Sequence, residues 1–348
     1  HYWWSIARTD VHNTGGFSSG EGAVGNPYDP RAIETCCTVA WMALSVEQLA
    51  LTDASVVADE LELSYFNGGR GALSPSGRWS TYNTPMDGVR MRSQRDIAFQ
   101  SRPGSPELNC CSVNAQRLVG TVSRWGVMKA GDDTVVVNHY GRSTTTELAV
   151  HGTNETLVQQ TDYPVSGDVR LVVTPAAPVE IELRLRIPLW SRTTSVFVGG
   201  LEQPPPEPGG YLRVRHVWRA GDEIVLSFDM RPWYWAGEQE CAGRSSVYRG
   251  PVLLCLDTDY TASDDSDPNL IPAMAGELEL VDARPDTPVR LLVKHPTADG
   301  GTVTLCDFAG AGQQGNWYRS WLRMDGPQNV AFSRDNPLRA WWPNQGSV

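Results

Sequence analysis

CCSVNAQRLVGTVSRWGVMKAGDDTVVVNHYG, residues 110–141, is where the apolar pattern of this chain changes its period. From Cys110 to Met128 the apolar positions return at helical spacing, whereas "DTVVVNHYG" (133–141) reads as a strand. The architecture therefore changes near residue 128. Working back from there, "TCCTVAWMALSVEQLALT" (35–52) predicts one helix and "DASVVADELELSYFNGG" (53–69) another, with Asp53 as N-cap and Gly68 as stop. "YWWSIAR" (2–8) is helical as well. Between the second and third of the longer helices lies "GALSPSGRWSTYNTPMDGVR" (71–90), whose Pro and Gly punctuation predicts an irregular hairpin or long loop. Loops of that length in compact domains commonly carry function.

Working forward, "DTVVVNHYG", "TELAVHG", "DVRLVVT", "VEIELRLRIP", "TSVFVGG", "GYLRVRHVW" and "DEIVLSFDM" are short runs of period two separated by Gly, Pro and Asp. Such a series predicts a β-sandwich. After "RPWYWAGEQECAG" (231–243) a second β-rich series begins with "SSVYRGPVLLCLD". The expected organisation is a helical domain over 1–128, a β-sandwich domain over 129–238 and another β-rich domain over 239–348. No fixed-period repeat is evident.

With 40 acidic and 29 basic residues, the formal net charge is −11. That balance argues against nucleic acid or an anionic lipid surface as a partner. No stretch is apolar for the roughly 18–20 residues that a membrane span needs. Thirteen Trp and eleven Tyr suit a carbohydrate-facing protein, and equally suit sandwich cores.

Four of the seven cysteines stand in doublets, Cys36-Cys37 and Cys110-Cys111. Neighbouring residues bridge only with strain, because a disulfide needs its Cα atoms about 4.4–6.8 Å apart. Cys241, Cys255 and Cys306 read as small buried apolar residues on strands. No evenly spread disulfide framework is present, so a reducing compartment, or a metal that holds the thiolates, is preferred to oxidative stapling, which favours the cytoplasm slightly over secretion and leaves the compartment open. Glu34 and Cys36 form a Glu-x-Cys pair at the start of one helix, and Cys110 and Cys111 open another. Together they offer three sulfurs and one oxygen, a set that Zn²⁺ accepts in tetrahedral geometry. The spacing alone leaves zinc and inert buried thiols both open.

The motifs in their order, "TGGFSSGEG", "IETCCTVAWMAL", "TYNTPMDG", "LNCCSVNAQR", then "TDYPVSGDVRL", "LRIPLWS" and "VWRAGDEIVL", resemble glycoside hydrolase family 127, the zinc-cysteine β-L-arabinofuranosidases. The resemblance covers residues 1 to about 240. It implies a multidomain α and all-β chain, the C-terminal part of an (α/α)6 barrel followed by β-sandwich domains. It implies zinc held by Glu34, Cys36, Cys110 and Cys111, with Cys110 as nucleophile and Glu21 as general acid/base. Tyr82 would face the sugar, although "YNTPMDG" departs from the family's Tyr-x-Asn-Pro-Leu. "CCSVN" likewise stands where many members have two prolines. Sugar-contacting histidines lie upstream in the family.

The expected function is that of a retaining glycosidase acting on a β-linked furanose such as a β-L-arabinofuranoside, with a second chain supplying the early helices as one way to complete the barrel. The alternative is a non-catalytic, zinc-containing partner subunit or carbohydrate-binding protein that completes another chain's barrel. Glu107 is expected to cap the helix of the second doublet, Cys37 to pack in the core, and Asn114 and Arg117 to hold that helix by hydrogen bonds. His12 is at most a supporting contact.

Overall fold

The computed structural model describes residues 1–77, 79–90, 109–150, 153–261, 271–272, 274, 276–283, 287–325 and 333–334. Among them the helices are α1 (Tyr2–Thr9), α2 (Thr35–Thr52), α3 (Ser55–Ser64), α4 (Cys110–Gly120) and the short α5 (Val122–Trp125). Helix α2 follows the pattern read from sequence: Val39, Met42, Val46 and Leu49, spaced three and four apart, are all buried. Trp3 of α1 stacks on Trp41 of α2 with ring centroids 5.2 Å apart.

Two expectations about helix ends are corrected. Asp53 is not the N-cap of α3. It closes α2 with a left-handed φ of 49°, its amide donating to the Leu49 carbonyl at 2.9 Å, and its carboxylate pairs with Arg184 at 2.7 Å. Nor does Gly68 stop a helix, because α3 runs on through a π-helical turn, Tyr65–Gly69. The glycines serve close packing there. A Cβ on Gly68 would lie 3.1 Å from the Thr14 carbonyl, and one on Gly69 would lie 2.6 Å from Leu118.

The chain divides into two compact units. One comprises residues 1–44, 63–119 and 231–348, so the first and last thirds of the sequence fold together. Its main sheet is built on the hairpin of strands Arg244–Arg249 and Val252–Asp257. The short strand Asp87–Val89 joins that sheet antiparallel to Trp317–Arg319, with Gly88 opposite Tyr318. Asn13 is drawn to the same sheet. Its amide donates to Ser246 at 2.8 Å and Ser320 at 2.9 Å, and its carbonyl accepts from the Tyr248 hydroxyl at 2.6 Å. The late strands thus anchor both the loop that follows Asn13 and the segment that precedes Asp87.

The other unit comprises residues 45–62 and 120–230. It holds a six-stranded sheet, ordered Leu201–Glu202, Thr194–Val198, Asp222–Phe228, Asp168–Thr174, Thr153–Thr161 and Ser143–Val150. A four-stranded sheet runs Gly210–Trp218, Val179–Ile187, Thr134–Val137 and Val127–Lys129. Alternation explains the burial: Val169, Leu171 and Val173 on one strand, and Ile181, Leu183 and Leu185 on another, all point to a dry face. No helix among the described residues is long and apolar enough to cross a membrane.

Candidate active site

Glu34 is the last residue of a two-residue strand, Ile33–Glu34, that pairs antiparallel with Asn83–Thr84, Glu34 facing Asn83. Helix α2 begins at the next residue. Thr35 fastens this corner by donating its amide to the Tyr82 carbonyl at 2.9 Å and its hydroxyl to the Thr81 carbonyl at 2.8 Å. The pairing therefore places Glu34 and Cys36 beside Tyr82, which lies forty-six residues later than Cys36 in sequence.

The second doublet opens α4. Asn109 and Ser112 cap it reciprocally: the Asn109 side chain accepts the Ser112 amide at 2.9 Å, and the Ser112 hydroxyl accepts the Asn109 amide at 2.9 Å. Glu107, the residue expected to cap, lies outside the described residues. The signal for the observed cap was present in the sequence as Asn-Cys-Cys-Ser, an N-cap residue followed three positions later by a side chain able to answer it.

These two helix starts meet. One ligand atom from each of Glu34, Cys36, Cys110 and Cys111 lies within 4.8 Å of all the others, an arrangement that could hold a metal ion. Cys111 Sγ is 3.3 Å from Cys36 Sγ and 3.6 Å from Glu34 Oε1. Glu34 and Cys111 are buried, Cys36 is half-buried and Cys110 is exposed. Burial pushes the Cys36 thiol up to about 11 and the Cys111 thiol higher still. With no cation beside them these thiols would stay protonated at neutral pH.

Neighbouring side chains support the cluster. Asn114, one turn on from Cys110, donates its amide to Cys36 Sγ at 3.2 Å and accepts from Arg117 at 3.0 Å. Cys37 is half-buried, and its thiol donates to Glu34 Oε2 at 2.6 Å, so it touches the cluster rather than only packing. Burial followed by the Glu34 contact raises that thiol to about 12.

Glu21 sits at the tip of a tight turn closed by the Ser19 amide donating to the Gly22 carbonyl at 3.0 Å, with Gly20 at a φ of 64°. The Tyr82 hydroxyl donates to Glu21 Oε1 at 2.5 Å, and Cys110 Sγ lies 3.9 Å from the same hydroxyl. Tyr82 is thus the bridge between Glu21 and Cys110. The carboxylate beside it, then burial, hold its phenol well above the usual range, so it remains a donor. His12 is buried under this loop with Nε2 3.1 Å from the Ser19 hydroxyl, supporting the turn without reaching the thiols.

Comparison with known proteins adds an independent line. The family model described as "Beta-L-arabinofuranosidase, GH127 catalytic domain" matches residues 1–124, and that for the "GH127 middle domain" matches residues 134–230. The non-reducing end β-L-arabinofuranosidase of Bifidobacterium longum subsp. longum is 28% identical over 275 residues, covering 74% of this chain and 41% of that protein. Two solved structures share the fold. A GH127 β-arabinofuranosidase aligns with a TM-score of 0.78 at 23% identity, over 93% of this chain and 55% of its own. A GH127 β-L-arabinofuranosidase from Geobacillus stearothermophilus T6 aligns with a TM-score of 0.75 at 22% identity, over 93% of this chain and 56% of its own. The chain spans about half the length of these relatives, or less.

Proposed function

The chain belongs to glycoside hydrolase family 127, and from that premise we propose that it carries the reacting groups of a retaining, zinc-dependent glycosidase acting on a β-linked furanose such as a β-L-arabinofuranoside. One observation carries the reading: the cluster of Glu34, Cys36, Cys110 and Cys111 lies next to a Tyr82–Glu21 pair.

The donor set fits zinc. In a tetrahedron with Zn–S near 2.3 Å and Zn–O near 2.0–2.2 Å, ligand atoms stand roughly 3.5–3.8 Å apart. The separations of 3.3 and 3.6 Å are close to that. Bound there, the ion would supply the positive charge that keeps buried thiols ionised at neutral pH.

Cys110, the exposed member, is the sulfur placed to attack. Its thiolate would form a bond to the anomeric carbon as the bond to the leaving oxygen breaks, and protonated Glu21 would give its proton to that oxygen. Glu21, now a carboxylate, would take a proton from water. The water oxygen bonds to the anomeric carbon, the carbon–sulfur bond breaks and the Cys110 thiolate returns. Tyr82 keeps Glu21 in place through both halves.

Distance supports retention. Glu21 Oε1 and Cys110 Sγ can be no further apart than the two contacts through Tyr82, 2.5 and 3.9 Å laid end to end. That limit lies at the short edge of the spacing of about 6.5–9.5 Å that inverting enzymes leave for a water, toward the shorter spacing of retaining ones.

We further infer that α1–α4 belong to a partial (α/α)6 barrel and that the six- and four-stranded sheets form a β-sandwich, in a sequence organised as 1–128, 129–238 and 239–348. Tyr2, Leu44 and Val113 are large apolar residues exposed on α1, α2 and α4. Further helices, with a second chain as one source, would cover them. The deciding experiment is Cys110→Ser, assayed on an aryl β-L-arabinofuranoside alongside metal analysis of the parent. Hydrolysis should vanish while the fold persists, and the parent should hold about one zinc per chain. A variant that still hydrolyses would refute the nucleophile, and a zinc-free parent would refute the centre. A parent that binds zinc and hydrolyses nothing would favour the non-catalytic subunit.

A further inference from the structure

At the far end of α4 from the thiols is a cavity of about 230 Å³ with a different character. Nine residues separate Cys110 from Val119 on its rim, so it lies about 14 Å from the cysteine cluster measured along the helix. Two guanidinium groups, Arg70 and Arg290, face it in a chain whose net charge is −11, and neither makes an ion pair among the described residues.

The local fold builds this place. Tyr65 and Arg70, both on its wall, bracket the π-helical turn Tyr65–Gly69. A π turn inserts one extra residue per turn and so re-aims the side chains at its ends. Across the cavity, Gln313 ties two loops together, its amide donating to the Leu73 carbonyl at 2.9 Å and the Ala309 carbonyl at 3.0 Å. Those two bonds fix which end of the amide is nitrogen. The opposite atom, Oε1, is buried and has no hydrogen-bond partner among the described residues. Leu73, Pro75, Val119 and Pro288 supply apolar wall.

We infer that this cavity is a second carbohydrate site, specific for a sugar bearing a carboxylate, a uronate residue. The paired guanidiniums match a carboxylate in charge and in fork geometry. Gln313 Oε1 needs a donor, which a sugar hydroxyl supplies and a fully ionised inorganic anion does not. The Tyr65 ring and the prolines offer a flat apolar surface to the C–H face of a pyranose ring. The volume suits one sugar residue rather than a chain. The inference needs nothing from the thiol cluster, so its failure and that of the catalytic reading can be told apart.

The test is calorimetric titration of the 348-residue chain with D-glucuronate, D-glucose and inorganic sulfate. Glucuronate should bind at one site, with glucose about tenfold weaker or more for want of the charge-assisted pair, and sulfate about tenfold weaker or more for want of a donor to Gln313 Oε1 and of a ring. Arg70→Gln and Arg290→Gln should each weaken glucuronate about tenfold, whereas Cys110→Ser should leave it unchanged. Sulfate binding as tightly as glucuronate would show a simple anion patch and overturn the inference. So would equal binding of glucose, no binding of glucuronate, or folded arginine variants of undiminished affinity. Should either variant fail to fold, the three-ligand comparison on the parent decides alone.

Discussion

Replacing Arg186 by Met should strongly destabilise its unit. Arg186 is fully buried, and its Nη1 pairs with Asp59. Its Nη2 lies 2.7 Å from Glu62 Oε1, and Nε donates to the Asn138 carbonyl at 2.5 Å. Glu62, also fully buried, accepts in addition from the Tyr163 hydroxyl at 2.7 Å. Methionine fills similar volume without charge, so the perturbation is electrostatic: two carboxyls lose their shared cation. Removing one partner of a buried pair costs about 3–5 kcal/mol. The pH dependence makes the cause visible. Burial already lifts Asp59 to about 6, against the lowering pull of Arg186. Without the guanidinium Asp59 takes up its proton at higher pH, and a carboxyl whose folded pKa is raised destabilises the fold above its unfolded pKa. Lowering the pH relieves that penalty by about 1.4 kcal/mol per unit for each carboxyl protonated only in the variant. Urea unfolding at pH 8 and pH 5 measures both quantities. The loss should be large at pH 8 and clearly smaller at pH 5. A loss under about 1 kcal/mol, or one equal at the two pH values, would refute the account.

Acid should act unequally on the two units. Burial lowers His12 and His295 to about 4, so the unfolded chain binds their protons first and stability falls from about pH 6.5 to about pH 4. Both lie in the unit containing the thiols, which should lose up to about 2.7 kcal/mol per pH unit in the middle of that range, offset in part by proton uptake at Asp87 and Asp257, whose burial raises them. In the other unit the same loss from His139, lowered to about 3, is offset by proton uptake at Asp59. Hydrogen exchange resolved by unit between pH 6.5 and 4.5 reads the contrast, and parallel losses would contradict it. Asn114→Leu removes the amide that donates to Cys36 and should weaken zinc binding about 10- to 100-fold in chelator competition. Gly15→Ala places a Cβ 2.5 Å from the Ser64 amide nitrogen at a φ of 69°, and should destabilise by about 2 kcal/mol or more in thermal melts.

Periodicity exposed much of this fold to reading because periodicity has a local cause. Helix α2 spans the same eighteen residues that its apolar spacing marked, and Asp168–Thr174 and Gly210–Trp218 coincide with their runs of period two. Pattern failed where the cause was tertiary. Gly68 looked like a stop because glycine ends many helices, yet here the missing side chain admits the Thr14 carbonyl. Asp53 looked like a cap for the helix after it, but a left-handed turn made it the end of the helix before. Nothing local announces that the strand at Asp87–Val89 pairs with Trp317–Arg319, or that Asn13 reaches Ser320. Those contacts join the first and last thirds of the chain, and no window along the sequence contains both.

The site shows the same division in one place. The residue types were legible, since Glu-x-Cys and Cys-Cys each sit at a helix start, where unpaired amides favour an anionic sulfur. Their meeting was legible only through the family resemblance and not from any local pattern, because Glu34 is brought beside Tyr82 by a two-residue strand pairing too short to leave one. The two effects also oppose each other. Helix starts favour thiolate, while burial pushes Cys36 up to about 11. Burial prevails over the helix start even at this half-buried group. A cation among the four ligand atoms reverses that balance. It would do so without disturbing the Tyr82–Glu21 pair, whose hydrogen bond draws on none of the cluster's ligands. In the proposed mechanism, charge on the sulfurs and proton transfer at Glu21 would thus be set by separate groups, with the Tyr82 hydroxyl as the point where they touch.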